Sequence, residues 1–158
     1  MSVTLSRELA PSAPRRLGEV IVADEQAANR LLIRKTLSCD GYRVREAANL
    51  DDVIDLLLAE GAPAPQVIDA EGLTFSAQLI LASADLHGLL PLRAVNCDLA
   101  DVPLVLMADR INNKTRAAAR LLSASALIHR PVYIDEVRRV VREIFSTPRS
   151  EWTLPHAA

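Results

Sequence analysis

Two rhythms of apolar and polar positions alternate along this chain. Gly18 to Asp24 (GEVIVAD) is an apolar run ending in an acid, the pattern of a strand buried on both faces. Gln26 to Ser38 then sets Ala28, Leu31, Leu32, Ile33 and Leu37 in a broad helical stripe, and Gly41 ends it. Tyr42 to Ala47 (YRVREA) alternates as a strand does. Asn49 is placed to cap a helix carrying Val53, Ile54, Leu57 and Leu58, which stops before Gly61 and the Pro63/Pro65 pair. Pro103 to Ala108 (PLVLMA) is a second strongly buried strand, followed by a helix over roughly Asn113 to Ser123. Ala126 to His129 (ALIH) is a short strand stopped by Pro131. The last helix is the clearest. Ile134, Val137, Val141, Ile144 and Phe145 share one stripe, while Arg138, Arg139 and Arg142 lie off it. Asp135 and Glu136 occupy its first turn, where the helix dipole favours anions.

Strands alternating with helices predict an α/β domain with a mainly parallel sheet. Right-handed crossovers place helices on both faces. The functional site of such a sheet lies at the carboxyl ends of its strands. That rule selects Ala23-Asp24-Glu25, the end of the third strand, Ala108-Asp109 and Arg130-Pro131.

Composition narrows the function. The 158 residues fit one domain, and half are hydrophobic, which excludes a disordered chain. Eighteen Lys and Arg face 20 Asp and Glu, for a net charge of −2. No overall basic field exists, so direct nucleic-acid binding is not expected. Cys39 and Cys97 give neither metal spacing nor a disulfide framework, and read as reduced thiols in a cytoplasmic protein. His87, His129 and His156 are too scattered for a metal triad. No apolar stretch reaches the ~18 residues of a membrane span. Residues 1–17 read as a flexible leader, 18–146 as the domain, and 147–158, with Trp152, as a flexible tail. No nucleophile–base pair or glycine-rich phosphate loop appears, so no enzyme activity is expected.

With these elements in order, the chain resembles the receiver domain of bacterial response regulators over roughly residues 18–146. VIVADEQAANRLLIRKTLSCDGYRVREAAN resembles the first strand, first helix and second strand, while ADVPLVLMA and LIHRPV resemble the fourth and fifth strands with their loops. The resemblance implies a flavodoxin-like, doubly wound, five-stranded parallel sheet. It also implies phosphoryl transfer onto an aspartate ending the third strand. An acidic pair after the first strand would hold Mg²⁺ through oxygen ligands. A Thr or Ser after the fourth and a Lys after the fifth would stabilise the phosphoryl group.

The chain departs from that set. The acidic pair aligns with Ala23 and Asp24, so one carboxylate is lost, and Glu25 begins one position late. Ala108 stands at the hydroxyl position, and Arg130 replaces the lysine. Arg keeps the charge on a wider, planar fork. The resemblance implies a cis Arg130–Pro131 bond. Two placements of the acceptor stay open. Gln66-Val67-Ile68-Asp69 puts Asp69 there with a single length change and is favoured; Gln78 to Ser83, the better buried run, puts Ser83 there. Asp24 and Asp69 are the weak metal candidates, with no cofactor required and Mg²⁺ doubtful. Arg130 is expected to pair with Asp24 or Asp69, and Glu71 and Asp109 to be solvated. Arg110, Lys114, Arg116 and Arg120 gather positive charge around the fourth helix, a candidate anion or partner surface.

The expected function is a degenerate receiver that signals by docking. A histidine kinase or an output protein is the implied partner, and a homodimer through the fourth helix, fifth strand and fifth helix is a further implied assembly. Two alternatives remain. One is an atypical receiver phosphorylated on Asp69; the other is a pseudo-receiver for an anionic nucleotide messenger.

Overall fold

A computed structural model describes residues 18–58, 66–68, 74–76, 78–86, 88 and 102–148. The expected leader, the tail beyond Pro148, Asp69, Glu71, His87 and Cys97 lie outside the described residues. In chain order the elements are β1 (Glu19–Ala23), α1 (Ala27–Cys39), β2 (Arg43–Ala47), α2 (Leu50–Leu58), β3 (Gln66–Ile68), β4 (Thr74–Ser76) and β5 (Gln78–Ser83). They continue with β6 (Leu104–Ala108), α3 (Asn113–Leu121), β7 (Ala126–His129) and α4 (Ile134–Ser146). Five strands form one sheet in the order β2-β1-β5-β6-β7, and every pair in it is parallel.

The third strand of that sheet corrects the favoured reading. Gln66–Ile68 pairs antiparallel with Thr74–Ser76 in a separate two-stranded sheet. Gln78–Ser83 takes the centre instead, in register with β1 from Glu19↔Gln78 to Ala23↔Ala82. The physical reason is burial. The centre of a doubly covered sheet needs a run that tolerates both faces dry, and all six residues of β5 are buried.

Alternation along the strands divides the core in two. Ile21, Ala23, Ile80, Ala82, Leu104 and Leu106 face one side, with Val53 of α2 and Ala119 of α3. Val20, Val22, Leu79, Leu81, Val105 and Met107 face the other, under Ile33 and Leu37 of α1 and Val137, Val141 and Ile144 of α4. The right-handed crossover rule accounts for this division, because β1-to-β2 runs opposite in direction to β6-to-β7. α1 ends as expected at Gly41, whose φ of +99° suits a residue without Cβ. Its apolar stripe is only half used. Ile33 and Leu37 are buried, while Leu31 and Leu32 remain exposed. Asn49 caps α2 by accepting from the Asp52 N–H at 2.9 Å. Among the described residues no helix is long and apolar enough to cross a membrane.

Candidate functional site

The carboxyl ends of β1, β5, β6 and β7 gather the selected residues at one edge of the sheet. Arg130 follows β7 directly. Its backbone N–H donates to Ala108 O at 2.8 Å, and its bond to Pro131 is cis. Its side chain turns in among the strand ends and is buried.

Three carboxylates meet that guanidinium. Nη1 donates to Asp24 Oδ2 at 3.1 Å, and both side chains are buried. Nη2 donates to Asp85 Oδ2 at 3.1 Å. Nε lies 2.8 Å from Asp109 Oδ1 but is not aligned to donate to it, so that contact is a charge attraction without a formed hydrogen bond. The planar fork therefore ties together the loops after β1, β5 and β6, which a single ammonium could not span in the same way. Asp85 and Asp109 are mostly exposed, so water screens them, and Asp24 carries the buried part of the interaction.

Asp24 is fully engaged. Its Oδ1 accepts from the Gln26 N–H at 2.8 Å, which orders the entry into α1. Its Oδ2 accepts from Arg130 and, at 3.3 Å, from Asn29 Nδ2. Gln26 is the N-cap of α1 and its cap has no side-chain hydrogen bond, so Asp24 restrains the chain just before the helix while it pairs with Arg130. Arg30, which the sequence gave no reason to single out, adds a second restraint. Its Nη1 donates to the Asp24 carbonyl at 2.7 Å and the Glu25 carbonyl at 3.2 Å. Glu46 lies 3.5 Å from its Nε.

Ser83 ends the central strand and is buried. Its Oγ accepts from the Asp85 N–H at 3.3 Å. Ala108, also buried, ends β6 without a hydroxyl. Glu25 is exposed. It joins Asp85, Asp109, Arg110 and Lys114 around a cleft of about 760 Å³ whose lining includes Leu106 and Ala108. The mouth is thus more acidic than basic, and Arg130 is already surrounded by acids. Asp109, expected to be solvated, is exposed but also sits beside Arg130. Asp85 was missed altogether. Its one signal was its position two residues past a strand end, visible only once β5 is recognised as the third strand.

The donor set does not fit a divalent cation. Ala23 offers no carboxylate, and Asp24 has both oxygens committed to N–H donors. Among the described residues no three His, Cys, Asp or Glu side chains converge on a metal-sized site. Arg110, Lys114, Arg116 and Arg120 are exposed; Arg110 and Lys114 line the cleft beside Asp85 and Asp109, while Arg116 and Arg120 stand farther along α3.

No protein-family model matches the sequence, and no curated protein does. Solved structures do match. A response regulator from Thermotoga maritima superposes with a TM-score of 0.64 at 17% identity, covering 82% of this chain and 98% of that one. The signal receiver domain of an HD domain-containing protein from Pseudomonas fluorescens Pf-5 gives 0.66 at 17% identity, covering 85% and 98%. The receiver domain of NtrX from Brucella abortus gives 0.63 at 20% identity, covering 81% and 98%. Since each alignment takes in nearly the whole of the other chain, the agreement is one of complete architecture: this chain has the fold of a response regulator receiver domain.

Proposed function

We propose that this chain is a degenerate receiver, a signalling module that works by docking to other proteins and not by accepting a phosphoryl group. One observation carries the reading: Arg130 pairs at 3.1 Å with a buried Asp24. A working receiver needs that carboxylate for a cation and needs its basic residue free for phosphate. Here each is used up by the other. The remaining chemistry supports the same reading. Ala108 has no hydroxyl to bond a phosphoryl oxygen, and the strand-end residue is Ser83, buried with no general base among its hydrogen-bond partners. Glu25, Asp85 and Asp109 outnumber Arg110 and Lys114 around the cleft, a balance that disfavours an anionic phosphodonor. The same acids disfavour an anionic nucleotide at Arg130. No metal or other cofactor is required in this reading. The docking face is α3, β7 and α4, and the partner is a signalling protein such as a histidine kinase or an output protein.

Incubation with acetyl phosphate or phosphoramidate and Mg²⁺, followed by intact mass, tests the proposal. The expected spectrum shows no stable phosphoryl adduct. Near-stoichiometric phosphate mapped to Asp69 or Ser83 would establish an atypical working receiver instead.

A further inference from the structure

Ion pairing is unevenly distributed over this molecule. Arg30 and Arg34 pair with Glu46, Arg43 and Arg45 with Glu19, Arg138 with Asp40 and Arg139 with Glu143. Arg110, Lys114, Arg116 and Arg120 show no carboxylate partner among the described residues, and α3 itself contains no acid. Four adjacent cations left unpaired in a chain of net charge −2 form a local field that the composition hides.

The helix arranges them. Ala119 faces the core and Ala118 and Thr115 are half-buried, which leaves the opposite arc in solvent. Arg116 and Arg120 stand one turn apart along one side of that arc. Ala117 and Leu121, also one turn apart, form the next row, and Lys114 lies beyond them. Leu121 is 75% exposed, the most exposed large apolar side chain among the described residues. The face is therefore a narrow apolar strip with cations on both flanks.

Resting on the docking reading above, we infer that this face of α3 binds an acidic amphipathic helix of a protein partner. Leucines of the partner pack on Ala117 and Leu121, and its flanking carboxylates meet Arg116, Arg120 and Lys114. Charge complementarity selects acid. The apolar strip selects a peptide over a nucleic acid, whose phosphates would leave Leu121 uncovered. Glu25, Asp85 and Asp109 outnumber Arg110 and Lys114 in the cleft at the N-terminal end of α3, so a polyanion running past that end meets net acid. A short peptide with acids on its flanks does not.

The probe is a fluorescein-labelled helical peptide with Leu at every third or fourth position and Glu on both flanks, titrated by anisotropy against the full chain. Saturable binding that weakens as salt rises is expected. Arg116→Glu with Arg120→Glu should weaken it by at least about tenfold. Leu121→Ser should weaken it separately. Arg34→Glu with Lys35→Glu, the same charge change on α1 across the sheet, should leave it within about twofold. All five positions are exposed, and unchanged melting of each variant confirms folding. The inference is overturned by absence of saturable binding, by equal binding of a scrambled peptide, or by indifference to the α3 variants. It is also overturned if duplex DNA or anionic phosphatidylglycerol vesicles bind at lower concentration. Peptide binding does not depend on phosphorylation, so a failure here leaves the closed-site reading standing, and a phosphorylated site leaves this face standing.

Discussion

At the scale of the residue, this protein turns on Arg130. Two charges taken out of water are costly to bury, and each then depends on the other. Asp24 is 1% exposed and the Arg130 side chain 8%, so removing either leaves an uncompensated buried charge. Asp85 and Asp109 are 73% and 69% exposed, and pairs of that kind contribute about 0–1 kcal/mol. Arg130→Ala should therefore lower the unfolding free energy by about 3–5 kcal/mol in urea titration, and Asp85→Asn by no more than about 1 kcal/mol. Arg130→Lys should fall between them, because an ammonium keeps the charge but cannot reach three loops in one plane. Equal, small losses for Arg130→Ala and Asp85→Asn would mean that the buried pair is not what holds the strand ends together. The sequence put Arg130 at the edge that holds Asp24 but left Asp24 and Asp69 both open as its partner, and the structure shows the pair with Asp24. Asp85 was not legible, because its place depends on which strand is the third.

At the scale of the element, the reading of the sequence succeeded wherever a hydrophobic period ran long. The strand Ala126–His129 and the start of α4 at Ile134 stand where the pattern put them. It failed at β3. Val67-Ile68-Asp69 has an apolar run and a terminal acid, and counting residues from β2 favoured it. Counting fails when an insertion carries its own antiparallel pair, and β3 with β4 is such a pair. The uninterrupted burial of Gln78–Ser83 was the better signal, because a central strand has no wet face. One contact between elements yields a pH prediction. Tyr42, just before β2, stacks on Phe145 of α4 with ring centroids 5.3 Å apart. Burial raises the pKa of its phenol above the usual 10.0, Arg142 lowers it in part, and Asp40 raises it. Above that unfolded value the unfolded chain releases the proton first and so binds fewer protons than the folded chain. Stability at this residue is thus fully present below pH 10.0 and falls as pH rises toward the folded pKa. Melting curves from mildly to strongly alkaline pH should show a steeper decline for the wild type than for Tyr42→Phe. Parallel declines would mean that the phenol keeps its ordinary pKa in the fold.

At the scale of the molecule, one sheet separates two bodies of chemistry. α1 and α4 cover one face with their cations largely paired, and α2 and α3 cover the other, where α3 carries unpaired charge. Between them, at the strand ends, a guanidinium stands where the resemblance implies a cation and a phosphoryl group. That substitution is the central claim, and it is most directly tested by titrating Mg²⁺ while following backbone amide shifts. The account predicts no saturable shift at Gln26, Asp85 or Asp109 in the low-millimolar range, and no difference between wild type and Asp24→Asn. Saturation at low-millimolar Mg²⁺ in the wild type, lost in Asp24→Asn, would contradict it and return Asp24 to the role of a metal ligand.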